Sequence, residues 1–314
     1  MNWHHIWVDS STNRVRCGWR VLTYLLLASA FTILPAYLLY ATFFSSPAKS
    51  TSLITPMVII EEITTIIAFI VLGIWALRVL EHLPAQTLGL SMRGPWSQAL
   101  GGGFSIGLGF TTLLLLVLWV TGCARFTWNH PNQQMIGQLC LLLLFLSIEA
   151  MAEEVVFRGY LFQTLLRGIG PLAALCLTSA CFALFHLPHP HITVLAVVNL
   201  FLAGMMFGML YLRLGTLWLP IGVHAGWNFG KLLFNLPLSG HTFPLTTPMT
   251  GMLAAKQWMT GGAFGLEGGL GVSVLLLCAI AVITYSRRGL PLESRWWEWR
   301  DLVKTTAPSS GRGG

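Results

Sequence analysis

Two adjacent glutamates inside an apolar stretch are the residues of this chain best suited to chemistry. Glu153 and Glu154 are followed by Arg158 four residues after the second acid. Ionisable groups at membrane depth are costly and usually functional. Glu154 and Arg158 have the i,i+4 spacing with the acid first, which is the favourable order for a helical ion pair. The spacing predicts that Glu154 is neutralised by Arg158, while Glu153 lies about 100° further round the helix and stays free.

An unpaired carboxylate in a cavity of low dielectric suits general-base chemistry. Such a group can take a proton from water and return it to a leaving amine. Glu149 lies one helical turn before Glu153 on the same predicted face. The alternative is a structural Glu–Arg pair that locks two helices together, and for Glu154 and Arg158 both interpretations stay open.

Two later apolar segments each carry one histidine at helical spacing. The first is Phe182-Ala-Leu-Phe-His186 and the second is His224-Ala-Gly-Trp-Asn228. Alone, each histidine is more typical of a packing or interfacial residue. His224 and Asn228 share one helix face, where an imidazole and an amide can together stabilise a developing oxyanion.

A turn links the glutamate pair to the first histidine. The stretch from Gly168 to Pro171 has turn composition. Glu153 lies 16 residues before Ile169 in this turn, and His186 lies 17 residues after Ile169. Antiparallel helices on either side would therefore bring the two side chains to one height.

Composition predicts a polytopic membrane protein. Of the 314 residues, 55% are hydrophobic and 9% are charged, whereas a soluble domain carries about 25% charged residues. A spanning helix needs about 20 apolar residues. We expect an all-α transmembrane helix bundle with about eight spans, namely 21–43, 54–77, 98–121, 134–157, 171–187, 192–212, 216–234 and 264–286.

The charges predict orientation and exclude one class of partner. All but four of the 18 Lys and Arg fall on one side if the N-terminus is cytoplasmic, the exceptions being Lys49, Arg125, Lys231 and Lys256. This bias predicts that both termini are cytoplasmic. The net charge is +7, and the basic residues flank apolar spans and form no continuous patch. We therefore expect a lipid bilayer as partner and no nucleic acid. We expect a multi-pass protein of a bacterial plasma membrane.

The chain divides into three predicted regions. Residues 1–133 hold a cytoplasmic segment and three spans, and residues 134–235 hold the candidate core. Residues 236–314 hold an outer loop, the last span and a basic tail, in which Trp296, Trp297 and Trp299 are typical of an interfacial belt. The segment 134–167 is long for one helix, and we expect a break near residues 149–153.

Several other motifs have simpler interpretations. The pattern Gly103-Phe-Ser105-Ile-Gly107 matches GxSxG, but inside a span the glycines favour helix packing, as do Gly204 and Gly208. The six cysteines lack paired spacing, so we assign neither disulfides nor a redox role. The remaining polar residues of note are Glu61 and Glu62 as interior helpers, His189 and His191 in an interfacial loop, and Glu267 without a visible partner.

Elimination removes two known chemistries of intramembrane proteolysis. The chain contains no HExxH motif, which a zincin-type site requires. Its only aspartates, Asp9 and Asp301, lie outside every predicted span, which excludes a membrane aspartyl dyad.

The ordered combination Glu-Glu-x-x-x-Arg, Phe-x-x-x-His and His-x-x-x-Asn resembles the CPBP family, the group of CAAX prenyl endopeptidases and bacteriocin-processing intramembrane proteases. The similarity covers about residues 134–235, and Thr87–Arg93 is similar to the segment that precedes the family's core. The resemblance implies a helical bundle with a membrane-embedded site open to water. Its substrate would be a membrane-associated peptide or protein, with or without a lipid anchor.

The resemblance also implies residue roles. Glu153 would be the general base beside His186, Glu154 would support the site with Arg158 and Phe182 as structural partners, and His224 and Asn228 would bind the oxyanion. Members are described both as metal-dependent and as glutamic proteases. Glu153, His186 and His224 therefore provide either three ligands for one divalent metal, such as zinc, or none.

Two other function classes remain as alternatives. A non-catalytic scaffold or regulator could use the same fold and bind a partner through the same cavity. A proton-coupled transporter would also contain buried acids, but the chain lacks the paired broken helices of two symmetric halves.

Overall fold

The computed structural model describes residues 8–9, 14–43, 56–130, 132–243, 247–253 and 256–286. Within these ranges the chain is mainly helical, as predicted. The helices are α1 Cys17–Phe43, α2 Pro56–Val79, α3 Trp96–Val120, α4 Gln133–Arg158, α5 Tyr160–Ile169, α6 Pro171–Phe185, α7 Val194–Leu214, α8 Trp218–Leu233, α9 Gln257–Thr260 and α10 Leu270–Tyr285. Short 3-10 turns occur at Ala85–Leu88, Gly262–Phe264 and Leu266–Gly268. The predicted Trp296, Trp297 and Trp299 belt lies outside the described residues.

Among the described residues, five helical stretches are long and apolar enough to cross a membrane. They are Cys17–Leu34, Val58–Val79, Trp96–Val120, Gln133–Ile169 and Val194–Leu214. The helices α6, α8 and α10 have 15, 16 and 16 residues, which corresponds to about 24 Å against a hydrocarbon core of about 30 Å. The protein is therefore an integral, multi-pass membrane protein, while the count of eight spans and the cytoplasmic placement of both termini stay predictions.

The long apolar segment after residue 133 is interrupted at one glycine. The predicted break near residues 149–153 is wrong, because α4 runs unbroken through Glu153 to Arg158. Gly159 leaves helical geometry with φ −72° and ψ −129°, and α5 begins at Tyr160. A side chain at Gly159 would collide with the carbonyl oxygen of Val155. The glutamate motif thus lies in regular helix, which preserves its i,i+4 geometry.

The predicted turn after α5 is confirmed. Gly170 has φ 86°, a conformation that glycine adopts without strain, and Pro171 is the first residue of α6. Proline is tolerated there because the first backbone N–H groups of a helix have no helical acceptor. The reversal makes α5 and α6 neighbours and returns the chain towards α4.

A glycine interface joins α3 to α8. Cβ atoms added at Gly103 or Gly107 would collide with the backbone of α8, and Cβ atoms added at Gly222 or Gly226 would collide with the backbone of α3. Ser105 is exposed, and its hydroxyl donates to a carbonyl of its own helix. The packing interpretation of this GxSxG sequence is confirmed. Because the glycine face of α8 contacts α3, its opposite face, which carries the polar residues, is turned into the bundle.

The second pair of glycines also serves helix packing, as predicted. Gly204 contacts Ser179 and Gly208 contacts Leu175, so α7 lies close against α6. Small residues let two backbones approach in a membrane, where lipid provides no hydrophobic drive for association.

Two antiparallel ribbons were not predicted. The first, β1 Val8–Asp9 with β2 Arg14–Val15, is minimal. The second pairs β3 Ala124–Trp128 with β4 Met249–Leu253, and the backbone N–H of Gly251 donates to the carbonyl of Phe234 just after α8. The long ribbon therefore covers the C-terminal end of the helix that carries the second histidine motif.

Candidate active site

The predicted site residues come together around one cavity. A cavity of about 210 Å³ is lined by Glu153, Phe182, His186, His224 and Asn228. These side chains come from α4, α6 and α8 and from the residue that follows α6. Three segments separated by up to 75 positions in the chain thus meet at one point.

Glu154 and Arg158 lie behind the cavity wall and form the predicted ion pair. Arg158 Nη1 lies 3.1 Å from Glu154 Oε1, and both side chains are fully buried. Arg158 Nη2 donates to the carbonyl of Gly204 at 3.2 Å, and its guanidinium carbon lies 4.5 Å from the centre of the Phe182 ring. Arg158 therefore connects α4 to both α6 and α7.

His224 is oriented by the same glutamate. Its Nδ1 lies 3.1 Å from Glu154 Oε1, and its ring stacks on Phe207 with 5.0 Å between centres. An ionised carboxylate only accepts hydrogen bonds, so Nδ1 of His224 carries the hydrogen. The other nitrogen, Nε2, faces Glu153 Oε2 at 3.7 Å.

His186 approaches Glu153 from the end of α6. It is the residue that ends this helix, and its Nδ1 donates to the carbonyl of Phe182 at 2.8 Å. A carbonyl oxygen only accepts, so the lone pair of His186 is on Nε2. That atom lies 3.9 Å from Glu153 Oε1.

Glu153 faces both imidazoles without bonding to either. Separations of 3.7 and 3.9 Å exceed hydrogen-bond length. Its Oε2 is buried and has no hydrogen-bond partner among the described residues, while the side chain as a whole is 17% exposed. Polar atoms at such spacing are commonly bridged by a small ligand or a water molecule. The arrangement thus presents a carboxylate and two imidazoles to one point of the cavity.

Asn228 provides an amide on the same wall. It lies one helical turn after His224, is 5% exposed and lines the cavity. Within the part of the chain that the structure describes, its side chain makes no hydrogen bond. Its N–H groups are therefore available to a ligand.

The three predicted metal ligands match a zinc site in chemical type. Both imidazoles present Nε2 to the carboxylate, and His224 has a carboxylate on its other nitrogen, as metal-ligating histidines usually do. The gaps of 3.7 and 3.9 Å are wider than the roughly 3.3 Å between ligands of a tetrahedral zinc ion. No group of three potential ligands among the described residues is close enough to hold a metal as placed. The metal ligand set stays a prediction.

The prediction that Glu267 lacks a partner is wrong. Glu267 Oε1 accepts hydrogen bonds from Lys231 Nζ and, at 3.0 Å, from Trp227 Nε1. Lys231, which we assigned to the outer side of the membrane, is fully buried in α8. A signal existed in the sequence, because Lys231 follows Asn228 by three residues and His224 by seven and so shares their helix face.

Two further carboxylates line the cavity. Glu62 reaches it from α2 and Glu149 from α4, whereas Glu61 is exposed. Glu62 therefore lies in the interior, as expected, and Glu61 does not.

The loop histidines were only partly predicted. His189 lies in the turn after α6, and it lines the cavity together with His241. The ring centres of His189 and His241 are 5.2 Å apart, and those of His186 and His189 are 4.8 Å apart. Burial, followed by the neighbouring His186 and His241, holds the pKa of His189 below its ordinary value, and burial also lowers the pKa of His241. Both loop histidines are therefore neutral at neutral pH.

Comparison with known proteins gives one family. Residues 135–230 match the family described as Type II CAAX prenyl endopeptidase Rce1-like. No curated protein matches the chain. The matched segment contains every residue of the three motifs, from Glu153 to Asn228. The resemblance to the CPBP family of intramembrane proteases that these motifs predicted is therefore confirmed.

Proposed function

We propose that this protein is an intramembrane endopeptidase that hydrolyses a peptide bond of a membrane-associated, lipidated protein or peptide. The observation that carries the proposal is the position of Glu153. Its carboxylate faces the Nε2 atoms of His186 and His224 across gaps of 3.9 and 3.7 Å, inside a cavity of a membrane helix bundle. The similarity of residues 135–230 to a CAAX prenyl endopeptidase family supports the same activity.

Glu153 and His186 would hold and activate the attacking water. One hydrogen of the water is donated to Glu153, and the other to the lone pair on His186 Nε2. Transfer of the first hydrogen to Glu153 leaves a hydroxide-like oxygen that bonds to the scissile carbonyl carbon. Arg158 pairs with Glu154, whereas Glu153 has no bonded cation among the described residues.

Asn228 would stabilise the oxygen of the tetrahedral intermediate. Its amide N–H groups are not bonded to other described residues and can donate to the developing oxyanion. The Nδ1 hydrogen of His224 is directed at Glu154, so His224 donates from Nε2 only as an imidazolium.

Collapse of the intermediate would complete the reaction. The carbon–nitrogen bond breaks, and the proton that Glu153 took from water passes to the leaving amine. One water molecule is consumed, the products are a carboxylic acid and an amine, and Glu153 returns to its starting state. If a divalent metal is bound, Glu153, His186 and His224 would hold it, and it would polarise the carbonyl oxygen as a Lewis acid.

The cavity walls support an apolar, membrane-delivered substrate. Beside the polar residues, the lining includes Phe145, Leu200, Phe207 and Phe243. The surrounding helices expose large apolar side chains, as a bundle in a bilayer does, and a lipid-anchored substrate would be held in the same bilayer. We place the protein in a bacterial plasma membrane.

A matched peptide panel tests the function. The purified protein in lipid nanodiscs is given quenched peptides that carry a prenylated cysteine near the C-terminus, and the same peptides with unmodified cysteine. We expect cleavage of the prenylated set, lost in Glu153→Gln and kept in Glu61→Gln, which alters an exposed glutamate of α2. If the folded protein cleaves none of the peptides, the scaffold alternative is favoured.

The same preparation tests the metal. If Glu153, His186 and His224 bind zinc, the active enzyme contains stoichiometric metal, and either histidine variant loses both metal and turnover. If the site is glutamic, activity survives strong chelation and the metal content is far below one per chain.

A further inference from the structure

A buried ion pair lies beside the site and outside the matched segment 135–230. Glu267, in the 3-10 turn before α10, bonds to Lys231 and Trp227 of α8. Lys231 is fully buried and Glu267 is 8% exposed. Ion pairs in an apolar interior cost desolvation energy and are weak evidence for stability, so a role in fixing geometry is the better explanation.

The backbone at Glu267 is itself held in place by α7. Asn199 Nδ2 donates to the carbonyl of Glu267 at 2.7 Å and to the carbonyl of Gly269 at 3.0 Å. Ser273 Oγ donates to Asn199 Oδ1 at 2.6 Å. The backbone on both sides of residue 268 is therefore clamped to α7, and Glu267 is presented to α8 from a fixed point.

Side-chain hydrogen bonds attach the cavity-lining face of α8 to its neighbours at two positions along the helix. Near the middle of the helix His224 bonds to Glu154, and near its C-terminal end Trp227 and Lys231 bond to Glu267. Asn228 lies between these two attachments and has no side-chain bond of its own to the described residues. The direction of its amide therefore depends on how α8 is rotated and how deep it lies.

The opposite face of α8 contacts α3 through close glycine packing and a hydrogen bond to a backbone carbonyl. There the glycines of α8 contact the backbone of α3, and the hydroxyl of Thr111 donates to the carbonyl of Trp227 at 3.1 Å. Close glycine packing sets the distance between two helices, but it leaves their rotation to directional bonds elsewhere.

We propose that Glu267 is a positioning residue of this site, which through Lys231 and Trp227 sets the rotation and depth of α8 and thereby aims Asn228. The inference rests on the proposed hydrolase function for its effect on turnover. Its structural part, the fixing of α8, stands independently. A misplacement of about 1 Å at a reacting group costs on the order of 10²-fold in rate.

The test compares Glu267→Gln, Lys231→Met and the double variant Lys231→Met with Glu267→Leu, all as full chains in nanodiscs. Arg213→Ala is the matched control, because Arg213 bonds α7 to carbonyls at the far end of α10, away from the cavity. We expect each single variant to lose on the order of 10²-fold in kcat with KM changed by less than about threefold. The double variant should regain thermal stability but not kcat, and Arg213→Ala should keep kcat.

Amide hydrogen exchange over residues 218–233 provides a measurement that does not need activity. We expect faster exchange in Glu267→Gln than in wild type or Arg213→Ala. Unchanged exchange in Glu267→Gln overturns the positioning role. So does a double variant in which kcat per folded molecule recovers together with thermal stability. If wild type cleaves no peptide but Glu267→Gln still exchanges faster than wild type, the attachment of α8 is supported and the hydrolase function is refuted.

Discussion

Glu81 and Glu153 are both glutamates of the protein interior, but their surroundings differ. Glu81 Oε2 contacts Arg20 at 2.5 Å and Arg167 at 3.3 Å, and its Oε1 accepts hydrogen bonds from Thr164 and Tyr160. Glu153 faces two imidazoles at 3.7 and 3.9 Å and keeps one oxygen without a partner among the described residues.

The difference separates a structural cluster, around Glu81, from the cluster around Glu153 that is reactive in the proposed function. Around Glu81 every contact is at bonding distance, so the cluster joins α1, α2 and α5 and leaves no room for a ligand. Around Glu153 the contacts to the two imidazoles are longer than hydrogen bonds, and the carboxylate lines a cavity. The same residue type thus stabilises the fold at one end of the bundle and lacks a bonded partner in its interior, where the proposed function uses it for proton transfer.

Glu153→Gln breaks the reactive cluster and should have the largest effect. The amide keeps the shape but cannot accept the proton of water, and loss of a general base costs about 10²–10⁴-fold in turnover. Thermal stability should be unchanged, because Glu153 makes no bond to lose. Peptide cleavage and a thermal melt check both, and near-normal turnover would remove Glu153 from the mechanism.

Arg158→Ala tests the closed pair that lies directly behind the cavity. It leaves Glu154 charged and unpaired in a buried position, which typically costs about 3–5 kcal/mol of stability. The double change Glu154→Gln with Arg158→Gln should recover part of that loss. Unfolding in detergent measures both, and a double variant less stable than either single variant would show that the pair is not the relevant unit.

Asn228→Ala tests the oxyanion side of the open cluster. Removal of one such donor costs about 10²–10³-fold in turnover, and substrate affinity should change little. Asn228→Asp, whose carboxylate only accepts hydrogen bonds, should be at least as impaired. Full activity in Asn228→Asp would instead indicate a metal ligand at this position.

The substitution Glu81→Gln should have the smallest effect, and that effect should be on stability alone. Burial by itself raises the pKa of Glu81, but Arg167, Arg20 and the hydrogen bond from Thr164 outweigh it and hold that pKa below its ordinary value. The stabilisation is therefore complete above the unfolded pKa of about 4.3 and is lost as pH falls through the folded value.

We accordingly expect the melting temperature of wild type to drop below about pH 4.3 more steeply than that of Glu81→Gln, with equal turnover per folded molecule at neutral pH. Melting curves between pH 3 and pH 7 measure this. If the melting temperatures of the two proteins fall equally as the pH is lowered, the ionic role of Glu81 is contradicted. A loss of turnover in Glu81→Gln would place Glu81 in the reactive cluster.

The sequence by itself determined the features that lie within one helix. The ion pair of Glu154 with Arg158 and the shared face of His224 and Asn228 follow from helical periodicity alone, since residues four apart are always neighbours. The equal spacing of Glu153 and His186 from one turn also depended only on helix rise and a glycine–proline reversal.

Only the tertiary structure decided which faces meet. The bond of His224 to Glu154, the bonds of Lys231 and Trp227 to Glu267, and the β3–β4 ribbon each join segments far apart in the chain. In a uniformly apolar helix the sequence pattern barely constrains rotation about the axis, because lipid and protein interior are equally apolar. Here the glycine contacts between α3 and α8 set the distance between the two helices. In the positioning role proposed for Glu267, its bonds to Lys231 and Trp227 set the rotation that turns Asn228 into the cavity.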